Sequence, residues 1–294
     1  MNEPWCVLLA SREIPEPTRI SVHGRNAAQR PALKTRDPLT ATLRRAATVT
    51  SLDRIAGVIT APADPCRQSS LEQLGLRNLF VQPKQQGTAY EVLLALLLLE
   101  RRISPATTVL FLPADHIVSD EEVMTNCLMT MVEWIAEDSG PVYLLGAVPQ
   151  GPHDELGYIV PWHDAMLMPS GVYEFVERPD VHRARKLINA GGLWNTFIFG
   201  GSVSSLIKLF RPVFDAAIAE LRAALQSDDV ELGLVRAYQR LTPVDFSQDL
   251  LATQIDNLKV LRLLRCGWWP LKSPTLPPPT LSASASRLES RGRA

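Results

Sequence analysis

The chain is poor in the residues that mark a disulfide-bonded or metal-binding protein. Its 294 residues include four cysteines, which lie far apart and lack the paired spacing typical of metal ligands. Cys6 and Cys127 fall inside apolar segments, where a thiol packs as a small hydrophobe. The sequence therefore predicts reduced, structural cysteines.

Long hydrophobic runs and an excess of one charge are also lacking. The run from Val92 to Leu99 is too short to span a bilayer, and residues 1–4 lack the basic start of a secretory signal. The formal net charge of -1 gives no general attraction to nucleic acid or to an acidic membrane. We therefore expect a cytoplasmic protein that binds neither nucleic acid nor a membrane.

Apolar residues are present in sufficient number for a large core, at 46% of the composition. Short strand-like runs alternate with helix-like segments, which predicts an α/β domain with a parallel sheet. A core helix is expected from about Thr88 to Arg102, because its apolar residues lie nearly all round it. Two further helices are expected at about 202–210 and 213–226.

The pattern along the chain changes twice. Beyond Pro149 a β-rich region begins near Gly157, which indicates a second, substrate-facing half of the domain. From Pro270 the chain is rich in Pro, Ser and Arg, a composition that cannot offset its ordering entropy. We expect one domain over 1–269, with halves of about 1–150 and 151–269, and a disordered tail over 270–294.

One apolar run ends at a carboxylate beside an imidazole. Residues 109–114 (VLFLPA) lead directly to Asp115 and His116. Open α/β sheets bind ligands outside the carboxyl ends of their strands, so Asp115 is a candidate metal or phosphate-site residue. The alternative is that Asp115 caps a turn or a helix, as Asp often does after Pro.

Six short segments follow one another in an informative order. They are 82–89 (QPKQQGTA), 112–116 (LPADH), 157–159 (GYI), 175–179 (FVERP), 192–196 (GLWNT) and 244–247 (VDFS). Together they resemble motifs of the sugar-nucleotide pyrophosphorylases, and especially of the mannose-1-phosphate guanylyltransferases. The resemblance covers residues from about 5 to 270. It implies a Rossmann-like, GT-A-like three-layer α/β/α fold with a mainly parallel sheet and a smaller β-rich part facing the sugar.

The resemblance also implies roles for residues in most of these segments. Asp115 would hold the catalytic magnesium ion, and Glu177 would bind sugar hydroxyls. Arg178 stands where the family has a lysine for the sugar phosphate, although a planar guanidinium is not a positional copy of an ammonium. The residues nearest the nucleotide would be Gln85, Gly87, Thr88 and Ala89. Those nearest the sugar and its phosphate would be Gly157, Glu177, Arg178 and Asn195.

The chain departs from the family where phosphate and metal are bound. Residues 9–19 (LASREIPEPTR) replace the family's glycine-rich turn and contain no glycine, the residue that such turns require. Arg19 is the candidate catalytic residue there, as a displaced remnant of the family's Thr-Arg pair. The family's phosphate-contacting lysine is absent unless Lys34 substitutes for it. Pro270 stands in the position of the second magnesium carboxylate, so Asp115 alone would hold magnesium weakly.

Three functions therefore compete. A pseudoenzyme would bind a nucleotide sugar or a sugar 1-phosphate with impaired or absent catalysis, as a homo-oligomer or beside an active paralogue. An active nucleotidyltransferase would make GDP-mannose or a related sugar nucleotide from a nucleoside triphosphate and a sugar 1-phosphate, releasing pyrophosphate. A structural interaction protein would bind no such ligand. The three losses on the phosphate and metal side favour the first. We expect His116 to be structural, since the nucleophile of this chemistry is an already ionised phosphate.

Overall fold

The computed structural model describes residues 3–11, 38–61, 71–165, 168–264 and 266–270. The strands are β1 Trp5–Leu9, β2 Ile55–Thr60, β3 Asn78–Gln82, β4 Thr108–Pro113, β5 His116–Val118, β6 Val142–Ala147, β7 Tyr158–Pro161, β8 Ser170–Val176, β9 Leu193–Ser202, β10 Leu258–Leu263 and β11 Trp268–Pro270. The helices are α1 Pro38–Val49, α2 Thr88–Glu100, α3 Glu121–Glu137, α4 Val181–Asn189, α5 Val203–Leu225 and α6 Val230–Arg240. Arg19, Lys34 and the expected tail beyond Pro270 lie outside these residues.

Nine of the strands form one sheet in the order β3-β2-β1-β4-β9-β6-β10-β8-β7. Strands β3, β2, β1 and β4, in the first half of the chain, pair in parallel, as expected. Strand β9 runs antiparallel to both β4 and β6, and β8 runs antiparallel to β10 and β7. Strands β6 and β10 are again parallel, so the sheet is mixed, and the expected mainly parallel arrangement fits its first part best.

The second part of the sheet curls on itself. Strand β7 pairs with β8 and also with β9, so that β9, β6, β10, β8 and β7 form a closed five-stranded ring. Closure of this kind removes the unpaired edge that an open sheet would expose. Four of its five strands, β7 to β10, lie beyond Pro149, where the sequence predicts a β-rich region, and β6 precedes that point.

Helices cover both faces of the sheet, and this burial explains the sequence of the central strands. Strands β1, β4 and β6 are buried at every position. Their side chains alternate between two hydrophobic clusters, one packed on α2 and α5 and the other on α1 and α3. Strands covered on both faces read as continuous apolar runs, and the three-layer arrangement follows.

Two helical predictions have different outcomes. Helix α2 starts at Thr88 as expected and is buried nearly all round. The two helices expected at 202–210 and 213–226 form the single helix α5, which contains Pro212.

None of the helices in the described part of the chain is both long and apolar enough to cross a membrane.

Candidate functional site

A cleft of about 310 Å³ opens at the carboxyl ends of β1 and β4. Leu9 and Pro113 close these two strands and line its floor. The cleft also receives side chains from the segments that precede β7, follow β8 and interrupt β9. Six of the residues expected from the sequence line it, namely Thr88, Asp115, Gly157, Glu177, Arg178 and Asn195.

Three other expected residues do not line the cleft. Gln85 is exposed, and Ala89 is buried in the core. Gly87 has φ 94° and ψ 161°, a conformation open essentially to glycine alone. Its backbone lies directly against Val244, whose N–H donates to the Gln86 carbonyl at 3.1 Å. Gly87 therefore lets the β3–α2 turn dock on the segment that brings Asp245 to the cleft.

Asp115 lies in the short turn between β4 and β5, with only 9% of its surface exposed. Its Oδ1 is 3.6 Å from Nε2 of the buried His116. The Trp268 indole N–H donates to His116 Nδ1 at 3.1 Å. Strand β11 pairs antiparallel with β5 and sets Pro270 opposite His116. The structure thus brings Pro270 to the cleft beside Asp115, where it adds no carboxylate.

A glycine makes room for the carboxylate on the opposite wall. A Cβ added at Gly157 would collide with Glu177 Oε2 and lie 3.3 Å from the Cβ of Asn195. The Asn195 N–H donates to the Gly157 carbonyl at 2.8 Å, which joins the two segments. Gly157 is required here because the Glu177 carboxylate occupies the space that a side chain would fill.

Arg178 follows Glu177 with a left-handed backbone, at φ 47°. Its guanidinium lies 3.5 Å from Glu177 Oε1 and 3.7 Å from Asp245 Oδ2. The side chain is 59% exposed, so the guanidinium can reach a ligand in the cleft. Backbone strain of this kind is concentrated at functional sites.

A second strained residue interrupts β9 inside the cleft. Phe197 has φ 58°, and its N–H donates to Asn195 Oδ1 at 3.0 Å. The Thr196 hydroxyl donates to the Leu145 carbonyl at 2.6 Å, which satisfies a carbonyl at the register shift between β6 and β9. The shift turns Asn195, Thr196 and Phe197 toward the cleft.

Sequence comparison agrees with the fold. A family model described as nucleotidyl transferase matches residues 28–234, more than two thirds of the chain. The chain belongs to the nucleotidyl transferase family. Two curated relatives are the alginate biosynthesis protein AlgA of Pseudomonas putida, 30% identical over 166 residues, and a mannose-1-phosphate guanylyltransferase of Sinorhizobium fredii, 25% identical over 174 residues.

These matches cover only part of each relative. The matched segments span 54% and 59% of this chain and 33% of each relative. Among solved structures, one named mannose-1-phosphate geranyltransferase from Thermus thermophilus has a TM-score of 0.71 at 24% identity, over 91% of this chain and 76% of that one. A Helicobacter pylori structure named mannose-6-phosphate isomerase has a TM-score of 0.70 at 14% identity, over 91% and 99%. At these identities the structural likeness establishes the fold.

Several residues that line the cleft are not among the site residues predicted from the sequence. Glu91 on α2 is 1% exposed and accepts from the Ser11 N–H at 3.3 Å. The pKa of the nearby Tyr238 hydroxyl is raised, first by burial and second by the charge of Glu91. Asp245 and Ser247 enter through the segment after α6, where Asp245 also caps a short helix. In the sequence, Asp245 and Ser247 are indicated only by the 244–247 motif, and the resemblance assigns no role to that motif.

The described residues give the cleft an acidic character. Five carboxylates line it, whereas Arg178 is the one lysine or arginine among the described lining residues. The carboxylates are Glu91, Asp115, Glu155, Glu177 and Asp245. Within the described residues no group of three or more His, Cys, Asp or Glu side chains could hold a metal ion. Asp115 therefore supplies a single carboxylate, and a magnesium ion bound there would need further oxygen ligands from substrate phosphates or water.

Proposed function

We propose that the cleft binds a nucleotide sugar or a sugar 1-phosphate, and that nucleotidyl transfer by this chain is impaired or absent. The observation that carries the proposal is the pairing of β5 with β11, which sets Pro270 rather than a carboxylate beside Asp115. Binding of the ligand and catalysis require different groups, and the cleft provides more of the groups needed for binding.

The sugar side supports binding of a polyol that carries a phosphate. Glu177 offers a carboxylate to sugar hydroxyls from a position that Gly157 leaves open. Arg178 adds a largely exposed guanidinium that can pair with a phosphate. Asn195 contributes an amide that lies 3.4 Å from the Ser247 hydroxyl. These groups match the chemistry of a sugar 1-phosphate, and they support Gly157, Glu177, Arg178 and Asn195 as the ligand residues.

The phosphate side supports weak catalysis. Transfer of a nucleotidyl group requires two anions to be aligned while developing charge is offset. Glu91 lies on α2 and accepts from the Ser11 N–H at 3.3 Å, at the point where the chain leaves β1. Asp115 supplies one carboxylate, and the described residues add no metal site around it. We propose Thr88 and Asp115 as nucleotide-side residues, so that the halves 1–150 and 151–269 face each other across the cleft.

An active transferase is the second candidate, and one observation favours it. Six of the residues expected from the active family converge on one cleft. In that case the phosphate oxygen of mannose 1-phosphate would attack the α-phosphate of GTP, forming GDP-mannose and releasing pyrophosphate. The guanine base and the mannosyl group follow the name of the Sinorhizobium fredii relative.

A paired measurement separates the two candidates. Calorimetry with GDP-mannose and GTP tests binding, and a coupled pyrophosphate-release assay with magnesium tests turnover across nucleotide and sugar-phosphate pairs. We expect binding of GDP-mannose without turnover by the full chain. Turnover that Asp115→Ala abolishes and the exposed control Asp228→Ala preserves would refute the impaired-catalysis proposal. Absence of any binding would refute the ligand proposal. Light scattering of the chain alone and after mixing with an active relative measures the mass of the complex. It distinguishes self-association from pairing with a paralogue.

A further inference from the structure

The imidazole of His116 lies between two partners inside the cleft. Its Nδ1 accepts from the Trp268 indole N–H at 3.1 Å, and its Nε2 lies 3.6 Å from Asp115 Oδ1. All three residues are at least nine-tenths buried, at 9% exposure for Asp115, 4% for His116 and 3% for Trp268. The three side chains therefore form a continuous line from strand β11 to the strand-end carboxylate.

The chemistry of the indole decides where the imidazole carries its proton. An indole nitrogen donates a hydrogen bond and cannot accept one. His116 Nδ1 must therefore present a lone pair to Trp268, and the neutral ring carries its proton on Nε2. The two rings meet edge to face, with centroids 4.9 Å apart and an interplanar angle of 82°, which restricts rotation of the imidazole. The Nε2–H thus faces the Asp115 carboxylate.

We propose that Trp268 fixes this tautomer of His116 and that His116 thereby positions the Asp115 carboxylate in the cleft. Trp268 is then a positioning residue that acts on Asp115 through the imidazole. The Nδ1 lone pair is occupied by the indole and Nε2 holds the proton, so neither nitrogen is open to serve as a base or a metal ligand. The link to ligand binding rests on the proposed function, whereas the tautomer itself does not.

Strand β11 provides a matched pair of variants for the test. Trp268→Phe removes the indole N–H that binds His116. Trp269→Phe is the control, because Trp269 is also buried and its Nε1 has no hydrogen-bond partner among the described residues. His116→Gln retains an amide N–H toward Asp115, and His116→Ala removes it.

Nitrogen-15 NMR of the histidine side chains tests the tautomer without any ligand. The spectra are recorded at a pH of about 8, where an imidazole with the ordinary pKa of about 6.5 is neutral. The His116 signals are those missing in His116→Gln. We expect the Nε2–H form in the parent chain and in Trp269→Phe, and a mixture of tautomers in Trp268→Phe. A proton on Nδ1 in the parent, or an unchanged tautomer in Trp268→Phe, would overturn the proposal.

Calorimetry with GDP-mannose tests the positioning of Asp115. Loss of one hydrogen-bonding contact predicts affinity lowered about fivefold in Trp268→Phe and His116→Ala. His116→Gln is expected to restore most of the parent affinity. Equal losses in Trp268→Phe and Trp269→Phe would exclude positioning through His116. If the parent chain binds no GDP-mannose, the proposed function fails, and the NMR result still decides the tautomer.

Discussion

Substitution of Gly87 by alanine tests whether the β3–α2 turn holds one wall of the cleft. Gly87 combines φ 94° with ψ 161°, where a residue with a Cβ is strained by about 1–3 kcal/mol. The new Cβ would also collide with the Val244 carbonyl oxygen and lie 2.9 Å from both Val244 N and C. Non-bonded carbon atoms prefer about 3.5–4.0 Å, so the two backbones must separate.

The expected cost follows from these two effects. Separation breaks the bond from the Val244 N–H to the Gln86 carbonyl, which contributes about 1 kcal/mol. Together with about 2 kcal/mol of backbone strain, Gly87→Ala is expected to lower the free energy of unfolding by about 3 kcal/mol. The displaced segment carries Asp245 and Ser247, so affinity for GDP-mannose should also fall. Urea denaturation and calorimetry measure the two effects.

Gly191 supplies the control for strain without collision. It has φ 81°, yet a Cβ built there meets no atom within 4 Å. Gly191→Ala is therefore expected to cost about 1 kcal/mol and to leave ligand affinity unchanged. Equal losses of stability in the two variants would show that the contact with Val244 is not tight. Unchanged ligand affinity in Gly87→Ala would refute the link between this turn and the cleft.

Three further substitutions test other parts of the molecule. Gly157→Ala should displace the Glu177 carboxylate and weaken GDP-mannose binding about tenfold. Gly151→Ala is the control, because a Cβ built at Gly151 lies within 4 Å of no other atom, and its affinity should be unchanged. Equal affinities of the two variants would contradict the assignment of Glu177 to the ligand. Arg45→Met removes a 3% exposed guanidinium that binds Glu121 and the His116 carbonyl, so urea denaturation should show a loss of about 2 kcal/mol. The exposed pair of Arg54 with Glu3 is the control, with a change under about 0.5 kcal/mol for Arg54→Met. Burial raises the pKa of the Cys6 thiol from 9.0 to about 12, so the unfolded chain loses this proton first and stability falls as pH rises above 9. Between pH 9 and 10 the parent should lose about 1 kcal/mol more than Cys6→Ala, and parallel curves would exclude the buried thiol as the cause.

The ends of strands could be predicted from the sequence because apolar, buried residues give way there to polar or charged residues. The run that ends at Asp115 is apolar since β4 is covered on both faces, and the next side chain to reach the cleft is a carboxylate. The same reasoning supports Glu177 and Arg178, which follow β8 directly. Where a motif coincides with the end of a strand, sequence alone places the residue at the site.

Other features depend on contacts between distant segments, which local patterns do not contain. Gln85 and Ala89 belong to a matching motif, but Gln85 is exposed in the turn before α2, whereas Ala89 is buried in the core on α2. Pro212 predicts a helix break, yet α5 continues because Phe210 and Phe214 pack on one buried cluster with rings 5.4 Å apart. Tertiary packing outweighed the local signal in both cases.

The direction of β9 is a similar case. Strands separated by helices predict parallel neighbours, and β9 is instead inserted between β4 and β6 in the opposite direction. Its sequence gives no sign of direction, because a strand buried on both faces is apolar whichever way it runs. The insertion brings the β9 bulge, with Asn195 and Phe197, to the same cleft as Asp115.

The register of β11 bears directly on whether this cleft can hold a second metal carboxylate. Side chains alternate across a strand, so Trp268 and Pro270 share the face toward Asp115 and Trp269 points away. A one-residue shift would bring Trp269 to the cleft and would still supply no oxygen ligand. Within this strand, therefore, no choice of register restores the carboxylate. Among the described residues, β11 therefore brings an indole and a proline, and no carboxylate, to the cleft that Asp115 lines.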